Sequence, residues 1–153
     1  MPGNDTHESI KRGAAEYTGP HADLVAKTPD FYLLLHRLLS DRRVSTKYKA
    51  LFAQSLAYMT APVEVLDEAW TGKATVLDDI CAAAAPLKLM TSCVSTGIID
   101  DHWQGSYDVH ATVDHLLENA DKLIGKGRLR LILESVGSFM SAKEKFILHI
   151  EGH

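Results

Sequence analysis

Residues 109–124, VHATVDHLLENADKLI, decide the fold class. Val109, Val113, Leu116, Leu117, Ala120, Leu123 and Ile124 recur three and four positions apart, which gathers them into one helical stripe. His110, Asp114, Glu118 and Lys122 take the opposite face. Ser106 or Asp108 stands in front as a cap, and Gly125 or Gly127 stands behind as a stop. No stretch of the chain sustains the period-two alternation of a strand, so the expectation is an all-α, single-domain bundle of about five or six helices.

The neighbouring stretches follow the same period. Downstream, Leu129, Ile132, Leu133, Val136, Phe139 and Met140 predict a helix from Arg128, and Ser141 with Glu144 forms a capping box ahead of Phe146, Ile147 and Ile150. Upstream, Thr28-Pro29-Asp30 offers a hydroxyl cap, a first-turn proline and a first-turn acid. Phe31, Leu34, Leu35, Leu38 and Leu39 then continue to about Ser40. Ser45 caps a second helix with Tyr48, Leu51, Phe52, Ser55, Leu56 and Met59 on one side, and Pro62 stops it.

From Leu77 to Val94 the chain is rich in alanine, so neighbouring helices can approach closely. Pro86 falls inside this stretch as a kink and Gly97 serves as its stop. Residues 98–104 then read as a connector. Residues 60–76 have no period and contain Pro62, Thr71 and Gly72, which predicts an ordered loop between the second and third core helices. Residues 1–19 read as a flexible N-terminal segment with one weak helical turn at most, and residues 20–153 as the helical domain.

Composition narrows the function classes. With 153 residues, 46% hydrophobic and 24% charged, the chain has ordinary globular values, which excludes a disordered or collagen-like protein. A net charge of −4 has the wrong sign for a dedicated nucleic-acid binder, so no nucleic-acid partner is expected. The polar start, Met1 to Glu8, lacks the apolar core of a signal peptide, and the longest apolar run, Ile80 to Leu87, is far too short to span a membrane. Cys81 and Cys93 lack metal-site spacing and read as small buried hydrophobes in a reducing compartment, so the expected location is the cytoplasm.

Charge is distributed unevenly. Residues 60–121 hold eleven acids against Lys73 and Lys88, a local net of −9. The basic stretch with Arg42, Arg43, Lys47 and Lys49 either neutralises that acidic centre or faces an anionic membrane surface or acidic partner.

Five acids, Glu64, Asp67, Glu68, Asp78 and Asp79, crowd sixteen residues at the loop-to-helix junction. Oxygen ligands in such a place suit a divalent cation (Mg, Ca or Mn), with Glu64, Glu68, Asp78 and Asp79 as the metal ligands. The structural alternative is that Asp78 or Asp79 caps the helix and gains from its dipole. A second cluster, His102, His110, Asp114, His115 and Glu118, places residues 110, 114 and 118 on one helical face, but without an HExxH pattern. Trp70 and Trp103 lie on connectors and would lock them to the core. Gly125-Lys126-Gly127-Arg128 fits neither phosphate-loop spacing nor a dinucleotide turn, so it reads as a helix-ending turn. No nucleophile elbow or cysteine-hydrolase signature is present.

At Tyr58-Met59-Thr60-Ala61-Pro62-Val63-Glu64-Val65-Leu66, then Glu68-Ala69, Gly72 and Leu77-Asp78-Asp79, the sequence resembles the YkvA-like family, a small bacterial domain of unknown function. Members carry Tyr-x-x-x-Pro-hydrophobic-Asp-hydrophobic-hydrophobic-Pro-Asp/Glu, a glycine-containing turn and a Leu-Asp-Asp helix start. The match covers about residues 48–95. Glu64 stands where the family usually has Asp, and Asp67 where it usually has Pro. The resemblance implies a structural motif at Tyr58, Pro62, Gly72 and Leu77 and carries no activity with it. The expected function is therefore a non-catalytic binding or structural/interaction domain, acting on a protein partner or by self-association. The alternatives are a divalent-cation-dependent hydrolase or phosphoryl-transfer enzyme using the loop carboxylates, and a peripheral membrane-associated protein.

Overall fold

The computed structural model describes residues 2–17, 21–60, 76–94 and 96–136. Among them all regular structure is helical. Six helices have nine residues or more: α1 (Pro2–Glu16), α3 (Thr28–Leu39), α4 (Thr46–Thr60), α5 (Val76–Cys93), α7 (Val109–Glu118) and α9 (Arg128–Val136). Three short helices, α2 (Ala22–Val25), α6 (Gly97–His102) and α8 (Ala120–Ile124), link them. The loop expected between the second and third core helices, with Pro62, Glu64, Glu68, Trp70 and Gly72, lies outside the described residues, as does the capping box at Ser141.

Helix α5 is the centre of the bundle, packed against α3, α4, α7 and α9. Its alanines make this possible: Ala82, Ala83, Ala84 and Ala85 are all completely buried. The proline inside it has a specific compensation. Pro86 has no N–H to give to the carbonyl four residues back, which is that of Ala82. Ser55 of α4 fills the vacancy: its hydroxyl, fully buried, donates to the Ala82 carbonyl at 2.8 Å. The serine in the apolar stripe of α4 thus satisfies an acceptor that the proline frees.

Several boundaries differ from the sequence expectation. Residues 2–16 form a helix in place of a single weak turn, because Ile10, Ala14 and Tyr17 make one apolar edge that packs on α3. Thr28 does not cap α3 with its side chain. The turn from α2 already supplies the Lys27 carbonyl to the N–H groups of Asp30 and Phe31, and Thr28 becomes the first helical residue. Gly97 begins α6 where a helix stop and connector were expected, since Ile98 and Ile99 turn into the core. The patterned stretch 109–124 is two helices, interrupted at Asn119, whose side-chain amide donates to the His115 carbonyl at 2.9 Å alongside its own backbone N–H at 3.1 Å. Cys93 is exposed at the end of α5, whereas Cys81 is buried as expected.

Other local expectations hold. The Asp108 carboxylate caps α7, accepting from the N–H groups of His110 and Ala111. The Ser45 hydroxyl accepts from the Tyr48 N–H at 3.5 Å at the start of α4. Gly125 and Gly127 adopt φ of 102° and 79°, the left-handed region that lets the chain turn sharply between α8 and α9. Trp103 pins the segment before α7: its ring meets Phe31 of α3 edge-on at 5.9 Å, and its indole N–H donates to the Tyr107 carbonyl. Tyr107 in turn donates its hydroxyl to Asp30 at 3.0 Å. A β-carbon on Gly105 would sit 2.2 Å from the Trp103 ring, so only glycine fits beneath it.

Candidate functional site

The acids singled out at the helix start lead to a buried polar centre. Asp78 lies in the first turn of α5 and is 1% exposed. Its carboxylate accepts from the guanidinium of Arg128, the first residue of α9, at 2.8 Å, and both side chains are almost wholly buried. Fifty residues of chain separate the two. Isolated, either charge would be very costly to remove from water; together each cancels most of the other's penalty.

Tyr58, from the last turns of α4, completes the centre. Burial chiefly, then the charges of Asp78 and Asp79, push its phenol above the ordinary tyrosine range, while Arg128 opposes them. Helices α4, α5 and α9 therefore meet at one tyrosine, one aspartate and one arginine. Leu77, also buried, seats the same turn of α5 in the core.

Asp79 occupies the opposite electrostatic situation. Burial first, and the Asp78 charge second, raise its carboxyl well above the usual range, which favours the protonated form. One guanidinium serves Asp78, and a second negative charge alongside is disfavoured. One helix turn further, burial and then Asp78 push the Cys81 thiol up to about 12, so it stays protonated and unreactive in the folded chain.

The structure brings together Tyr58, Leu77, Asp78 and Asp79 of the residues predicted from sequence; Glu64, Glu68, Pro62 and Gly72 lie outside the described residues. The Asp78 carboxylate, expected as a helix cap or cation ligand, accepts from an arginine. Arg128 was legible only as the start of the last described helix. The missed signal is that it shares a face with Ile132, one turn on, and so is forced inward with the apolar stripe.

The histidine cluster is dispersed. His102 Nε2 lies 2.7 Å from Asp41, His110 Nε2 lies 2.7 Å from Asp100, and Asp114 takes Lys88 at 2.7 Å. No group of three histidine, cysteine or acidic side chains among the described residues is arranged to hold a metal ion.

The corner between α3 and α4 carries a second ion-pair network, at the surface. Asp41 accepts from the Arg43 backbone N–H and guanidinium and lies against His102, while Arg43 also reaches Asp101 at 2.7 Å. The hydrogen bonds from Arg43, then that from His102, hold the Asp41 carboxyl far below its usual range. Arg43 thus partly offsets the acidic centre, as one of the two readings of the basic stretch required.

Among the described residues no helix is long and apolar enough to cross a membrane. No family model, no curated protein and no solved structure matches the chain.

Proposed function

We propose that this chain is a YkvA-like helical domain whose business is binding or bracing, without catalysis. The observation that supports this reading is the Asp78–Arg128 pair at 2.8 Å, buried on both sides. An acid that would serve a Lewis-acidic cation must have lone pairs to offer it; here the chain's own arginine supplies the positive charge. The first acid of the Leu-Asp-Asp element then acts as a fastener between α5 and α9, with Tyr58 of α4 against it. A cytoplasmic location belongs to the same proposal, on the sequence reading that two cysteines without metal-site spacing suit a reducing compartment.

A thermal melt series tests the reading. The purified protein is melted in EDTA, then with Mg²⁺, Ca²⁺ and Mn²⁺, alongside Asp78→Asn. The expected result is a melting temperature that ignores both chelator and cation, with the variant melting lower in every buffer. A cation that binds only the folded form stabilises it by about 2.7 kcal/mol at a hundredfold excess over its dissociation constant. A shift of that kind, lost in Asp78→Asn, would overturn the proposal in favour of a carboxylate-bound cation and a hydrolytic or phosphoryl-transfer activity.

A further inference from the structure

The middle of the bundle carries a cleft unrelated to the Asp78 centre. It has a volume of about 220 Å³ and lies between the C-terminal half of α5, α6 and the start of α7. Its floor is apolar: Leu87, Ile99, Val109 and Val113 are each 4% exposed or less. Its rim is polar, formed by Lys88, Asp114 and His110 with the hydroxyls of Thr91, Ser92 and Thr96.

The rim carries one charge of each sign. Lys88 Nζ lies 2.7 Å from Asp114 Oδ1, at side chains 33% and 46% exposed. A simple anion drawn to Lys88 would meet Asp114, and a simple cation drawn to Asp114 would meet Lys88. A molecule carrying both charges a few bonds apart meets each with its opposite. Its hydrocarbon part then covers the floor, which is the part of the cleft that rewards burial. The rim pair is no obstacle, because a partly exposed ion pair is worth only about 0–1 kcal/mol and opens readily to admit a ligand.

Size narrows the class further. At about 30 Å³ per water, the cleft holds roughly seven waters, below the range of drug-sized pockets and near the bulk of a single small metabolite.

We propose that this cleft binds a small zwitterion with an aliphatic body, of the chemistry of a branched aliphatic α-amino acid: ammonium on Asp114, carboxylate on Lys88, side chain on the Leu87, Ile99, Val109 and Val113 floor. The proposal goes beyond the bracing role of Asp78 and Arg128 and shares no residue with it, so either fails without the other.

The experiment is a titration of the full chain, followed by amide NMR shifts, with L-leucine, L-isoleucine and L-valine. Two single-charge analogues of leucine run in parallel: 4-methylpentanoate, without the ammonium, and isopentylamine, without the carboxylate. The expected result is saturable shifts confined to residues 87–92, 96–99 and 109–114, with a dissociation constant at or below about 1 mM for at least one amino acid. Each analogue should bind at least tenfold more weakly, and Lys88→Gln and Asp114→Asn should weaken the amino acid while leaving the melting temperature in place. The two substitutions are at partly exposed positions, and the melt confirms that each variant is folded. No saturable shift up to about 10 mM, shifts that map elsewhere, or analogues that bind as tightly as the amino acid would each overturn the proposal.

Discussion

Asp78 and Asp41 each hold an arginine, but the two pairs belong to different physical regimes. At the meeting of α4, α5 and α9, Asp78 and Arg128 have left water almost entirely, so each is tolerable only because of the other. At the α3–α4 corner, Asp41 is largely covered, but Arg43 is half exposed and shares itself between Asp41 and the exposed Asp101, so water and salt reach the arginine's contacts. The corner gathers hydrogen bonds from Arg43 and His102 on one carboxylate, and the buried centre sets one guanidinium on another. The comparison teaches that the count of contacts is a poor guide, and that what decides the consequence is what a side chain faces once its partner is gone.

The largest break in this comparison is Arg128→Leu. It strands a carboxylate in the core, and the expected loss is about 3–5 kcal/mol, read as a lower denaturant midpoint. Pairing it with Asp78→Leu sharpens the point: removing both charges should recover much of that loss, and a double variant no better than the single one would show that the pair contributes more than mutual neutralisation. Ser55→Ala comes next. It leaves the Ala82 carbonyl without a donor beside Pro86, at a cost of about 1–3 kcal/mol, whereas an unchanged midpoint would mean that the Ala82 carbonyl finds another donor.

Asp79→Asn runs in the opposite direction. Because its folded carboxyl titrates above the unfolded value, stability is fully present below the ordinary carboxylate pKa of about 4 and is lost as pH rises towards the folded value. Asparagine removes that loss, so the variant should melt higher than the parent at neutral pH and converge with it near pH 4. A lower melt at neutral pH would mean that the Asp79 carboxylate is favourably engaged. The smallest effect belongs to Arg43→Ala, whose loss of stability should be slight and shrink with added salt. The sign at Asp41 is the reverse of Asp79: its folded pKa is depressed, so its contribution is present above the ordinary carboxylate range and lost as pH falls below it.

Thiol labelling gives a readout of the same contrast between interior and surface. Cys93 should react at once in the native protein, and Cys81, held protonated near pKa 12, only when the chain unfolds. Two fast thiols would place the N-terminal half of α5 outside the core.

Much of the bundle could be read from residue order. The apolar stripes of α3, α4 and α7 appear where their periods put them, and Asp108, Gly125 and Gly127 act at the boundaries where their chemistry predicts. Local signals failed where a residue's neighbours in space outweighed its neighbours in sequence. Gly97 has the composition of a stop, yet the burial of Ile98 and Ile99 draws it into a helix. His102, His110 and Asp114 have the spacing of a cluster, yet each faces a different partner, because Asp41, Asp100 and Lys88 are brought to them from other elements. At the candidate site, Tyr58, Leu77, Asp78 and Asp79 were visible as a motif, while the arginine that gives the motif its meaning lies fifty residues away.

What the sequence determined by itself is the helical class, the apolar faces and most of the caps, because these depend on residues within a turn or two of one another. What only the tertiary structure decided is which charges meet. Ser55 acquires its purpose from a proline on another helix, and of two adjacent aspartates one meets a buried guanidinium while burial and its neighbour's charge raise the carboxyl of the other. Those outcomes depend on burial and on distances across the bundle, and neither is written into the local order of residues.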